Sequence, residues 1–555
     1  MPGLLQPPAL GDPIPDREHA ISVHFPTWGD VRDYGAGESR VANALRNGYP
    51  RSHLHKHNQA LFAKCGRDFV TPSEEMVLFP DYQTAEDCKA FITSQRIHST
   101  DAANPEDVSL VLVEFTQAKD SPSIGEHVFF VPRLYGVVHP AGARKVKMTF
   151  WRLTGTGISS RLAESCLKRD VTVRRVSAAP PKAPPRAELP VYDVLRKRVA
   201  DLLDRAPINP GRAQRAKSDD VYLYPSGMAA IYHVHHALPK WRDSDIVMLG
   251  FPYELTIKMI DAMGVPHRFL SAGTESDIDE LESVLVEKSR IGQKIQSVWC
   301  ECPNNPMLRT SNLKRVRKLA DQYDFIFVVD DTIGSFANVD VMDVADIIVT
   351  SLSKYFNGLA DVLAGSIFLN PNFPHYPQLK KAFNAEYTNN LYAADAMRLE
   401  LNSRSYLERF TQQNETASAV VDFLFPYTSD PASTLANVYY PKVCWSRNNY
   451  QDVMRPVTED FTPGYGGFLS VDFDTVAAAS AFFDNLPFYK GPSFGADIPI
   501  AIPYVQLVLQ QEKTWASSHG LSETLVRISV GMVDKSAMLE CVKKALQAAD
   551  ATRNA

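Results

Sequence analysis

Short apolar runs alternate with stretches of helical periodicity along the middle of the chain, and the alternation sets in near residue 190. VYDVLRKRVADLL (191–203) repeats its apolar positions at helical spacing. After it, SDIVMLG, SVWCECP, FIFVVDD and DIIVTSLSK are of strand length, with GMAAIYHVHHAL, YELTIKMIDAMG and NLKRVRKLADQY as helices between them. Strand and helix in turn predict a mostly parallel sheet covered by helices on both faces. Ligands of such sheets sit at the carboxyl ends of the strands. The last third predicts a second, mixed unit: GGFLSVDF (466–473) and LVRISVGM (525–532) as strands, TVAAASAFFDNL (475–486) and KSAMLECVKKALQAA (535–549) as helices. Ahead of the main body, TAEDCKAFITSQ (84–95) reads as a helix, and VSLVLVEF (108–115) and HVFFVPRLYGVV (127–138) as strands of a small α+β unit.

Proline marks the joints. The first 20 residues are proline-rich and aperiodic, which predicts an extended arm. SAAPPKAPPRAELP (177–190) predicts an extended connector or a loop near the site instead of a helix or central strand. Three regions are expected: 1–145 as arm and accessory unit, 146–412 as the large domain, and 413–555 as the small C-terminal domain.

Composition narrows the function class. With 555 residues, 45% hydrophobic and 22% charged, the chain builds a large core unaided, which excludes a small disulfide scaffold. Its seven cysteines are odd in number and lack metal-site spacing, so they read as reduced thiols of a cytoplasmic protein. No apolar run is long enough to cross a bilayer, and the start lacks the charged and apolar segments of an export signal. Fifty-eight scattered basic residues against 64 acidic ones disfavour nucleic acid as a partner. A small-molecule enzyme is the expectation.

The chemistry gathers at strand ends. One apolar run ends in Asp330 and the next in Ser351-Leu352-Ser353-Lys354, one crossover unit later. A lysine just beyond a buried strand is costly to charge and becomes an imine-forming amine. An aspartate in the same layer can hold a ring nitrogen protonated, as pyridoxal phosphate requires. Ser226-Gly227-Met228 before a helical run offers backbone N–H groups to a phosphate. Tyr253 and Asn305 also follow strand-like runs; a core tyrosine and an Asn-Pro turn are their plainer readings. Arg527 sits inside an apolar strand, where an arginine binds either a carboxylate of a substrate or one of the protein.

SGMAAI, CPNNP, VVDDT, SLSKYFNGLAD and VRISVG, in this order, resemble the Cys/Met-metabolism family of pyridoxal-phosphate enzymes over roughly residues 150–550. ISVHFPTW, GYPR and FWRLTGTGISSRLAE further resemble its long fungal cystathionine γ-synthase-like branch. The resemblance implies the aspartate-aminotransferase-type fold (fold type I), an α/β large domain with a smaller C-terminal α+β domain and an N-terminal α+β extension. It implies that Lys354 carries the cofactor and shuttles protons, that Asp330 pairs with the pyridine nitrogen, and that Ser226, Gly227, Met228, Ser351 and Ser353 bind phosphate. Tyr253 would stack on the ring, Asn305 and Ser493 would lie beside ring or substrate, and Arg527 would grip the α-carboxylate. Arg161 would reach the phosphate from a neighbouring subunit of a homodimer or tetramer.

The implied activity is γ-substitution on an O-acyl-L-homoserine, the acetyl ester first, by a nucleophile such as cysteine thiol. Amine or carbon nucleophiles, β- or γ-elimination as in the lyases, and an inactive scaffold are the alternatives. Leu359 and Pro499 depart from the family pattern and bear on the acceptor substrate.

Overall fold

Antiparallel pairing organises the first unit. In the computed structural model, which describes residues 8–49, 52–98, 101–116, 130–176 and 188–554, strands β1 (Glu74–Phe79), β2 (Ser109–Thr116), β3 (Arg133–Pro140) and β4 (Asp170–Arg175) form a sheet in the order β1-β3-β2-β4. Helices Tyr82–Thr93 and Arg144–Thr154 cover it, and Phe91 and Phe150 of these helices share a core with Val77, Val111 and Val137. The sheet therefore reaches past residue 145 and takes its fourth strand from 170–175. Residues 1–7 of the arm, 127–129 of the predicted strand and 177–187 of the connector lie outside the described residues. Pro190, expected in the connector, instead opens helix Pro190–Asp204. At the first helical position its missing N–H forfeits no hydrogen bond.

The central sheet has seven strands: β5 (Val221–Tyr224), β6 (Ile246–Leu249), β7 (His267–Leu270), β8 (Ser297–Glu301), β9 (Ile326–Asp330), β10 (Ile347–Thr350) and β11 (Gly365–Leu369), in the order β5-β11-β10-β9-β8-β6-β7. All are parallel except β11, which runs against both neighbours. Parallel strands covered on both faces are apolar throughout, as the runs before Glu301 and Asp330 are. The register pairs Glu301 with Asp330 and Asp330 with Val349, so β8, β9 and β10 end at one edge.

A third sheet, β12 (Leu435–Tyr439), β13 (Phe468–Phe473), β14 (Tyr489–Lys490), β15 (Ile500–Pro503) and β16 (Val526–Ser529), has the order β12-β13-β16-β15-β14. Its strands are antiparallel apart from the parallel pair β14 and β15, and helices Val476–Asn485 and Lys535–Ala551 accompany them, so this unit combines strands and helices as predicted. One core joins this sheet, a face of the central sheet and the N-terminal arm: Phe25 and Trp28 pack in the cluster of Val329, Phe482 and Val526. The arm is tied by backbone bonds from Ile21 N to Ala360 O (2.8 Å) and from Phe25 N to Lys490 O (2.9 Å). Its helix Trp28–Ala36 touches helix Tyr504–Val508 so closely that a Cβ on Gly35 would lie 2.1 Å from Gln506 O. Among the described residues no helix is long and apolar enough to cross a membrane.

Candidate active site

A cavity of about 690 Å³ opens where β8, β9 and β10 end, and Gly227, Met228, Tyr253, Asn305, Asp330, Ser351, Lys354 and Arg527 all line it. Eight of the residues predicted from sequence thus meet at one place. Ser493 joins them through Lys354, whose Nζ lies 3.5 Å from its hydroxyl. The same amine sits 4.8 Å from the ring centres of both Tyr49 and Phe494.

The carboxylates are set by strand register. Asp330 Oδ1 accepts from Thr332 N at 2.8 Å, and desolvation pushes its carboxyl up to about 6. Glu301 beside it accepts from Tyr253 N (2.7 Å) and Asn305 N (3.1 Å). Burial, reinforced by the charge of Asp330, drives Glu301 well above the usual carboxylate range. Glu301 thereby ties together the two loops that carry Tyr253 and Asn305. The sequence reading gave it no role, although its signal is the one that marked Asp330: an acid closing an apolar strand. Asp331 points the other way, accepts from Thr350 Oγ1 at 2.6 Å, and is raised to about 7 by burial.

Arg527 is buried in β16 with the rings of Tyr504, Phe468 and Phe494 at 5.1, 5.3 and 5.5 Å. It donates to Asn305 Oδ1 (3.3 Å) and Pro492 O (2.8 Å), and among the described residues no carboxylate pairs with it. Burial holds it below the usual guanidinium range. A guanidinium kept dry at the wall of a cavity, with only neutral hydrogen-bond partners, has the chemistry to receive a carboxylate.

Two expected phosphate contacts are differently employed. Ser226 caps helix Gly227–Trp241, accepting from Ala229 N (3.0 Å) and donating to Gly155 O (2.8 Å). Ser353 exchanges hydrogen bonds with Ala364 O (3.0 Å) and Ala364 N (2.9 Å) and does not line the cavity. A hydroxyl held by backbone in both directions has little left for a ligand. Arg161 also lies away from this cavity: it pairs with Asp395 at 3.0 Å and donates to Asp361 O at 2.6 Å within the same chain. Leu359 and Pro499 are not among the lining residues either.

The residues present fit pyridoxal phosphate. Helix Gly227–Trp241 points its N-terminus at the cavity, and among the described residues no acceptor answers the N–H of Gly227 or Met228. A Cβ on Gly227 would lie 2.8 Å from Ser351 Oγ, so this cradle is narrow and floored by a hydroxyl. A buried acid, a lysine amine and an aromatic residue, Tyr253, occupy the rest of the wall. The arm supplies Val23, Phe25, Tyr34 and Tyr49 to that wall. In the sequence Val23, Phe25 and Tyr49 stand only within segments of branch resemblance and Tyr34 in none, because an aromatic or aliphatic residue there looks the same whether it faces a core or a ligand.

The family model for Cys/Met metabolism PLP-dependent enzymes matches residues 211–547, and that for the fungal trans-sulfuration enzyme N-terminal domain matches 57–159. An alanine racemase of Aspergillus violaceofuscus, ungC, is 39% identical over 97% of this chain and 96% of its own. Cystathionine gamma-synthase of Neurospora crassa is 31% identical over 98% of this chain and 99% of its own. The solved structure of cystathionine gamma synthase from Xanthomonas oryzae pv. oryzae in complex with cystathionine aligns at a TM-score of 0.54 with 22% identity, covering 66% and 87% of the two chains, and shares the fold. On this evidence the chain belongs to the Cys/Met metabolism family of pyridoxal-phosphate-dependent enzymes, in the branch that carries the fungal trans-sulfuration N-terminal domain.

Proposed function

We propose that this enzyme replaces the acyloxy group at Cγ of an O-acyl-L-homoserine, first of all the acetyl ester, by a nucleophile such as the thiol of cysteine. With cysteine the products are cystathionine and acetate. The observation that carries the reading is that Lys354, Asp330 and Arg527 line one cavity of about 690 Å³, generous for a cofactor and a four-carbon amino acid together. When bound, pyridoxal phosphate supplies an electron sink for negative charge at the substrate carbons. Arg527 receives the α-carboxylate, and Asn305, which accepts from it, fixes the tilt of its fork. Lys354 holds the cofactor at rest and then moves protons between Cα and Cβ. Asp330 keeps the ring nitrogen protonated, while Glu301 holds the Tyr253 and Asn305 loops at their spacing. Gly227 N, Met228 N and Ser351 Oγ are the phosphate donors, with Arg161 of a second subunit completing them in a homodimer or tetramer.

A second reading is favoured by a specific likeness. The relative that is 39% identical along nearly the whole chain is named an alanine racemase, a reaction that needs only proton exchange at Cα. One experiment separates the readings: the holoenzyme in deuterated water is given O-acetyl-L-homoserine with and without L-cysteine, and L-alanine separately, with chiral mass spectrometry as readout. Cystathionine in the first arm supports replacement, and oxobutyrate whether or not cysteine is present indicates elimination. Deuterated D-alanine without any Cγ product overturns the proposal in favour of racemisation. Sedimentation velocity reports the assembly.

A further inference from the structure

Outside the residues that line the cofactor cavity of this chain, three side chains from three separate segments converge: His19 of the arm, His57 of helix Lys56–Gly66 and Glu164 of helix Ser160–Leu167. Their ligand atoms all lie within 4.8 Å of one another, and His19 Nε2 stands 3.3 Å from Glu164 Oε2. Two ligands at about 2.0 Å from a tetrahedral ion stand about 3.3 Å apart, so this pair already has the required spacing and His57 needs only to swing inward.

The surroundings prepare the donors. His57 Nε2 is buried and, among the described residues, has no hydrogen-bond partner, an orphan that a ligand would satisfy. Ser160 Oγ lies 2.9 Å from His19 Nδ1 and can accept its proton, the tautomer that turns the Nε2 lone pair toward Glu164 and a metal. Lys168 takes the other oxygen of Glu164, Oε1, at 3.2 Å and turns Oε2 toward the histidine. His19 itself has φ 61°, in the left-handed region that a non-glycine residue adopts at a cost, and that backbone delivers its ring into the cluster. His55 flanks the group with its ring centre 4.9 Å from that of His57.

We propose that His19, His57 and Glu164 form a binding site for a divalent transition-metal ion of the zinc class, with a fourth position open to water. Two imidazoles and one carboxylate suit such an ion, whereas calcium and magnesium prefer all-oxygen sets. The ion would clasp the arm, whose next segment walls the active cavity, to helices Lys56–Gly66 and Ser160–Leu167. It is a fastening, and none of its three ligands lines the cavity of the same chain.

The test uses untagged holoenzyme stripped with a chelator and titrated with zinc against a chromophoric competitor, with elemental analysis for stoichiometry and zinc-edge X-ray absorption for ligand type. One zinc per chain with two imidazoles and a carboxylate oxygen is expected. His57→Ala and Glu164→Gln should each lose it, and Ser160→Ala should weaken it by about tenfold. Retention of the cofactor's visible absorbance in each variant shows that the fold survives. Failure of the wild type to hold zinc against the competitor, or binding by His57→Ala or Glu164→Gln equal to that of the wild type, overturns the site.

Discussion

Around the amine of Lys354 stand a hydroxyl and two aromatic faces, with Asp330 in the same cavity wall. Replacing this amine removes both the cofactor tether and the proton carrier. Lys354→Ala should lower kcat/KM by roughly four orders of magnitude or more and abolish the mass increment that borohydride fixes on the wild type. A separate effect belongs to the buried Asp331, which accepts from the hydroxyl of Thr350. The unfolded chain releases this proton near the ordinary value of 3.8, the folded chain near 7. Between these pH values the folded state binds more protons, so stability falls as pH rises. Denaturation midpoints of Asp331→Asn should therefore vary less from pH 4 to 7 than those of the wild type. An unchanged slope would show that the burial of this carboxyl does not govern the pH response.

At the scale of elements, the first turn of helix Gly227–Trp241 decides how close the cofactor comes. A Cβ on Gly227 would meet Ser351 Cβ at 2.7 Å, so Gly227→Ala must push Ser351 out of the cradle or shift the helix start. Cofactor affinity should drop by about tenfold, equivalent to losing about 1.4 kcal/mol, as measured by fluorescence titration of the apo-enzyme. This helix was legible in the sequence, as were β6, β8, β9 and β10, because parallel strands buried on both faces are unbroken apolar runs. Residues that end such runs are readable as chemistry, which is why Asp330 and Lys354 could be named. The antiparallel strand β11, Gly365–Leu369, was not, since five residues following a glycine-containing loop carry no period of their own. Ser353 illustrates a second limit: its hydroxyl belongs to Ala364 through a pairing 11 residues away that only the folded loop creates.

Across the whole molecule, the N-terminal arm connects the accessory unit, the cavity and the C-terminal domain. Its chemistry was invisible in sequence because the arm gains its contacts only by lying across distant segments. Arg17 shows the coupling: its guanidinium donates to Leu359 O at 2.7 Å and pairs with Asp497 at 2.6 Å. These anchors sit at Leu359 itself and two residues before Pro499, the two positions that the sequence comparison by motif singled out for the acceptor substrate. A partly exposed, two-toothed ion pair of this kind contributes about 0.5–1 kcal/mol. Arg17→Ala should therefore leave global unfolding almost unchanged, yet let the arm open several-fold more often, because local opening draws on local contacts alone. Hydrogen exchange over residues 12–25 should quicken by about threefold to fivefold, while β13 keeps its protection. Since the arm carries Phe25 and Tyr49 into the cavity wall, KM for the amino-acid substrate should rise with the exchange rate and the cofactor absorbance should stay put. Unaltered exchange in 12–25 would mean that the backbone bonds of Ile21 and Phe25, not Arg17, hold the arm in place.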